Sequence, residues 1–364
     1  MYCKKCGKFI EIFPEDSIGM SGSARMSAPK SSNVAVSTAI LAWYVLGSLL
    51  MSSNKVLFDL LHLDIPLLAT FIHFSITAFA LVIIRARWSD LIPQVSITRS
   101  EYIRWIIPVA ITTALDVGLS NMAYSYLPIS VMTVLKSSSV VCIYTTGVVW
   151  GVEQFRWTVG LVCAVIAASI AFATPGFTGD EGLTDSRFVS GVIIVCVAVI
   201  SLSIRWVLVQ SLTKRYSPLQ LLYLIQPTSA LILLPFAAVL EINSKLFDML
   251  SSSSLWLPIL LVFGSAILAM CLLMTEYRIV HMTSSLTLSI AGIGKEILTL
   301  SLSMLIFDES FSLRQVIAIS ISIIGIFVYA ILRSREKKME QKMQEFELAD
   351  STDRAIRGDS PMSE

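Results

Sequence analysis

Thr283–Phe307 reads TSSLTLSIAGIGKEILTLSLSMLIF and sets the class of the whole chain. Its length suits a helix crossing a hydrocarbon core of ~30 Å, which takes about 20 apolar residues. It is apolar and rich in small residues, yet Lys295 and Glu296 stand near its middle. An ionised side chain at that depth costs several kcal/mol, so it persists only facing a polar cavity or a partner. On a helix, Ser284, Thr287, Ala291, Lys295, Thr299 and Ser303 fall along one face. That face reads as one wall of a water-filled pathway. Glu296 sits about 100° round the helix and points at a neighbour. The competing reading is a Lys–Glu pair that only holds helices together.

Composition agrees with a membrane protein. The chain has 364 residues, 55% hydrophobic and 15% charged, with mean hydropathy +0.76. Soluble domains carry about 25% charged residues. The net charge of +1 identifies no partner, and no nucleic-acid contact is expected. Four of the six cysteines, Cys142, Cys163, Cys196 and Cys271, lie in apolar segments as small core residues. Cys3-x-x-Cys6 lacks the second ligand pair of a structural zinc site, so no metal and no cofactor are expected. With His62, His73 and His281 scattered and no nucleophile–base signature, the chain reads as no enzyme.

Outward from the opening stretch, apolar spans recur near 35–58, 65–85, 103–124, 128–150, 156–174, 188–211, 218–240, 255–279, 283–307 and 312–332. Turn chemistry marks the joints at Ile65-Pro66, Leu127-Pro128, Pro175-Gly176 and Ser217-Pro218. The expected fold is therefore an all-α membrane protein with ten transmembrane helices. A disordered N-tail (1–33) and a charged C-tail (334–364) flank a ten-helix domain at 34–333. Basic residues cluster on the side shared by both tails, as at Arg85, Arg87, Arg104, Lys214, Arg215 and Arg333. The positive-inside rule then places both termini in the cytosol.

The chain also hints at duplication. Lys136 lies in the fourth span, which exits at Glu153-Gln-Phe155; Lys295 lies in the ninth, which exits at Glu309-Ser-Phe311. Five spans per half is odd, so the halves enter from opposite sides. Two five-helix inverted repeats result, about 35–174 and 188–332, an architecture that puts substrate at the midplane.

The polar residues inside the spans suggest the ligand. Lys136, Arg205 and Lys295 are central cations, and ammonium and guanidinium groups suit phosphate. Thr133 and Tyr144 share the face of Lys136, and Thr299 that of Lys295, so all six are candidate substrate-binding residues. Asp116, Glu276 and Glu296 are candidate counter-ions or structural groups, and at least one of Asp116 and Glu276 is expected to pair with a central cation.

These residues carry a resemblance. Ala114-Leu-Asp-Val-Gly-Leu-Ser-Asn121, Lys136-Ser-Ser138, Ile204-Arg-Trp206 with Gln210, Gln226-Pro227 and the run from Thr283 to Glu296 are similar to the triose-phosphate/nucleotide-sugar translocator family of the drug/metabolite transporter superfamily. The likeness is greatest to solute carrier family 35, subfamily C, the GDP-fucose-transporter-like branch. It implies ten helices, antiport by alternating access, and a Golgi or ER membrane. It also implies phosphate binding at Lys136 and at Lys295-Glu296, where plastid members have Lys-Arg. The Glu in second place points away from a triose phosphate and towards a nucleotide sugar exchanged for nucleotide monophosphate. The partners implied are the bilayer, a phosphorylated sugar or nucleotide sugar, and a second copy of the chain in a homodimer. The alternative function is a transport-inactive membrane partner that regulates Golgi glycosylation.

Overall fold

The computed structural model describes residues 33–55, 65–123, 126–127, 135–136, 138–173, 186–242 and 256–307, with 323–329 and scattered positions between 313 and 339. Among the described residues every regular element is helical. The helices are α1 (Asn33–Lys55), α2 (Pro66–Arg87), α3 (Arg99–Ala123), α4 (Ser139–Val149) and α5 (Trp157–Ala173), then α6 (Ser186–Leu212), α7 (Pro218–Glu241), α8 (Trp256–Met282) and α9 (Ser285–Phe307). Residues 323–329 are also helical, within the expected last span. Of these, α2, α3, α6, α7 and the Ile259–Met282 part of α8 are long and apolar enough to cross a membrane. Among the described residues the protein is thus all-helical, with five candidate membrane spans. The expected N-tail lies outside the described residues except for Asn33, which opens α1, and nearly all of the C-tail lies outside them too.

Local sequence explains where the helices start. Pro66 and Pro218 open α2 and α7, where a missing N–H is harmless and φ is already helical. Capping boxes Thr98–Glu101 and Ser217–Gln220 close the first turns of α3 and α7. At α2 the cap comes from far away in sequence. The Glu241 carboxylate accepts from the N–H of Leu67 at 2.9 Å and of Leu68 at 2.7 Å. A buried anion at a helix N-terminus also complements the helix dipole.

Outward faces are apolar: Leu41, Val45, Leu161, Ile193, Leu231 and Ile267 are all more than half exposed. In water such a surface would be a liability, whereas lipid accepts it. Inward, the core gathers Ile143, Trp206, Leu221, Tyr277, Leu288 and Ile293. The pairing of helices is crosswise in the chain. First-half α1 packs on α8, α2 on α7, and α3 on both α6 and α7, while α8 also packs on α2.

At one end of the bundle the α6–α7 loop is tied to the start of α3. Arg215 donates to Glu101 at 2.6 Å, and the hydroxyls of Tyr102 and Thr228 are hydrogen-bonded. The Arg215–Glu101 pair is part-exposed, so it contributes about 0–1 kcal/mol.

Candidate functional site

A cavity of about 230 Å³ lies where α1, α3, α4, α6, α8 and α9 converge. Five of the intramembrane charges read from the sequence line it: Asp116 from α3, Lys136 just before α4, Arg205 from α6, Glu276 from α8 and Lys295 from α9. Ser120, Ser139 and Ser289 add hydroxyls to the wall, and Trp43 and Trp206 add aromatic rings.

Two local arrangements organise these charges. In the first, Arg205 Nη2 lies 3.1 Å from Asp116 Oδ2, with both side chains almost fully buried. The guanidinium also lies 4.3 Å from the centroid of the Trp206 ring. Its Nε and Nη1 are buried without a hydrogen-bond partner. Buried donors of a charged group are normally satisfied, so such atoms mark a place for an anion or water. In the second arrangement, Trp43 Nε1–H donates to Glu276 Oε1 at 3.0 Å, and Lys295 Nζ lies 4.8 Å from the Trp43 ring centroid. One indole therefore holds a carboxylate at its edge and an ammonium at its face.

Close helix packing makes the second arrangement attainable. A Cβ on Gly47 would come within 3.1 Å of Lys295 Cδ, and one on Gly292 within 3.4 Å of Trp43 Cη2. One on Gly294 would meet Tyr44 Oη at 2.5 Å, where the hydroxyl donates to the Ala291 carbonyl at 2.6 Å. Glycines let α1 lie against α9, which brings its aromatic rings to the lysine.

The face of α9 differs from the one expected. Leu288, Ser289, Gly292, Ile293 and Lys295 line the cavity, whereas Ser284, Thr287 and Ala291 do not. Ser284 is fully buried and caps the helix by accepting from the Thr287 N–H at 3.1 Å. Lys295 belongs to two helical stripes, 284–287–291–295 and 288–292–295, and the second faces the cavity. Tyr144 also stands away from it. Two turns beyond Lys136, its hydroxyl donates to the Arg156 carbonyl at 2.8 Å and accepts from the Arg156 N–H at 2.7 Å, fastening α4 to the start of α5. Thr133 lies outside the described residues, and Glu296 and Thr299 lie on α9 with side chains outside them.

Sequence reasoning missed Trp43. An aromatic residue in an apolar first span looks like any lipid-facing ring. The available signal was indirect, in Gly292 and Gly294 within the ninth span, since glycine in a helix marks close approach of a neighbour.

Comparison with known proteins supplies the family. A "Probable sugar phosphate/phosphate translocator" of Arabidopsis thaliana is 27% identical over 350 residues, covering 88% of this chain and 82% of its own. The Arabidopsis thaliana UDP-galactose transporter 1 is 24% identical, with coverage of 81% and 85%. A GDP-mannose transporter from the same organism is 23% identical, with coverage of 81% and 85%. A solved crystal structure shares the fold with TM-score 0.59 at 15% identity, covering 84% of this chain and 99% of that one. The family model described as the Triose-phosphate Transporter family matches residues 34–330, nearly the whole helical part, so the chain is a transporter and belongs to that family.

Proposed function

We propose that the protein is a secondary antiporter of phosphorylated sugars, working by alternating access across a Golgi or ER membrane with both termini in the cytosol. The observation that carries this reading is the meeting of Lys136, Arg205 and Lys295, from both halves of the chain, in one cavity. Three cations and two carboxylates line it, a formal +1 (3 − 2). A phosphate group carries about −1.5 to −2 at neutral pH and offers strong acceptors to the Arg205 donors. Binding it offsets the cationic excess, so the loaded carrier crosses its occluded state more readily than the empty one. That difference makes exchange faster than one-way flow.

The crosswise helix pairing supports the inverted-repeat reading. The first helix of each half packs on the third helix of the other, α1 on α8 and α6 on α3, and the two second helices, α2 and α7, pack together. A two-fold axis in the membrane plane produces such exchange, with the binding site at its centre. For solute size, the volume favours a compact sugar phosphate in this conformation, since ligand pockets usually span ~300–1,000 Å³. The second reading, a nucleotide sugar exchanged for nucleotide monophosphate, rests on the two nucleotide-sugar transporters among the relatives. It agrees with the likeness to solute carrier family 35, subfamily C, and requires the cavity to widen.

The test is counter-exchange by purified protein in liposomes. Labelled sugar phosphate or nucleotide sugar should enter only when the vesicles hold a phosphorylated counter-solute. Uptake independent of the internal solute would refute antiport. No uptake across a panel of both classes would refute the transport reading and leave the transport-inactive partner.

A further inference from the structure

Most of the cavity wall suits a phosphate, but Glu276 does not. It is a carboxylate in the same wall as Lys295 and Arg205, and Trp43 holds it in place through a 3.0 Å hydrogen bond. Asp116, the other carboxylate, is engaged by Arg205 at 3.1 Å. Glu276 is therefore the acid that a solute meets beside the Lys295 end of the cavity. A helix neighbour needing only a counter-ion for Lys295 could have placed it outside the lining.

We infer that Glu276, positioned by Trp43, is a specificity-determining residue that excludes phosphorylated solutes carrying a second acid group. The inference rests on the phosphorylated-sugar reading. The charge arithmetic is direct. A lining of formal +1 that receives a phosphate near −2 is left near −1. A carboxylate on the same solute then enters a volume whose residual field is negative. A neutral sugar instead brings hydroxyl donors, and a carboxylate is an acceptor-only group that hydroxyls satisfy. At an effective dielectric of ~20 and a separation of ~6 Å, like charges disfavour binding on the order of ten- to a hundredfold. Trp43 acts as a positioning residue: its N–H fixes the carboxylate, while its ring face holds the Lys295 ammonium.

Two matched pairs of solutes test the inference, because each pair differs in one carboxylate. They are glucose 6-phosphate with 6-phosphogluconate, and UDP-glucose with UDP-glucuronate. Half-saturating concentrations are measured by thermal shift on the purified full chain and by inhibition of exchange in liposomes. Wild type should favour the neutral member of the effective pair by at least about tenfold. Glu276→Gln should bring that ratio close to one, whatever it does to affinity overall. Glu276→Asp should keep the preference. Trp43→Phe, which retains the ring but lacks the N–H, should narrow the ratio part of the way. A wild type that binds acid and neutral members equally overturns the inference while leaving the transport reading intact. So does a folded Glu276→Gln with an unchanged ratio. If Glu276→Gln fails to fold, an unchanged ratio in Trp43→Phe overturns it instead. A wild type that binds no member of either pair overturns the phosphorylated-sugar reading together with the inference.

Discussion

Gln210 of α6 caps α9: its Oε1 accepts from both the backbone N–H and the hydroxyl of Ser285, each at 2.6 Å. Ser285 opens the helix that carries Lys295, so a residue of one helix fixes the start of another. Gln210→Ala leaves a helix N-terminus and a hydroxyl without their acceptor. Detergent melting should register a loss of about 1–2 kcal/mol. Gln210→Glu keeps the acceptor and should recover most of it.

Arg205 and Lys295, both candidates for the phosphate, should differ in what their loss does to the fold. Arg205→Ala strands a buried carboxylate on Asp116 and should cost about 3–5 kcal/mol. Lys295→Ala removes a cation held over the Trp43 face, an interaction worth about 0.5–2 kcal/mol. Melting of the two variants side by side checks the order. Lys295→Ala should also abolish the melting shift that a phosphorylated solute produces in the wild type. A variant that melts much earlier yet keeps that shift would sink its role as a ligand.

Gly294 should tolerate no side chain while Tyr44 keeps its hydroxyl. A Cβ there lies 2.5 Å from Tyr44 Oη, so Gly294→Ala must displace the ring or lose its bond to Ala291. Overpacking of this kind costs about 1–3 kcal/mol. In the double variant with Tyr44→Phe the oxygen is gone, and part of that loss should return. Additive losses would show that the two residues are not coupled.

Glu241 joins the end of α7 to the start of α2. Glu241→Ala leaves the N–H groups of Leu67 and Leu68 buried without an acceptor. At about 1–3 kcal/mol per unsatisfied group, the variant should fall by several kcal/mol. Glu241→Gln keeps one acceptor oxygen and should fall by roughly half as much. Equal melting of all three proteins would contradict the capping role.

The proposed cytosolic placement of both termini rests on the distribution of lysine and arginine. Epitopes at either end should be reached by antibody when only the plasma membrane is permeabilised. Protection of either end within the organelle would exclude an even number of spans with cytosolic tails.

Much of this was legible in the sequence, for physical reasons that also set its limits. Charges inside apolar runs stand out because lipid penalises them, so Asp116, Lys136, Arg205, Glu276 and Lys295 could be picked out, and all five line the cavity. Helix positions followed from hydropathy and from proline at the first turn, as at Pro66 and Pro218. The face of α9 was ambiguous because Lys295 lies on two stripes, and only the packing of the neighbouring helices selects between them. The bond of Tyr144 to Arg156 gave no signal, because a helical period places a residue on a face without naming its partner. Glu241 gave no signal either. A carboxylate at the end of an apolar run looks like an interfacial anchor until its partner, 174 residues earlier, is known.

The contact between Trp43 and Glu276 closes a loop of 233 residues, and that span has a consequence for biogenesis. At ~5–20 residues per second, translation takes about 10–50 s to reach α8 after α1 has emerged. Through that interval the indole of the first helix that will meet Glu276 stays unmatched. Completion of the bundle is therefore a late event, set by the ribosome's progress rather than by the formation of α1. A chain truncated anywhere before α8 leaves α1 without its main packing partner, and quality control would meet it as an orphan helix.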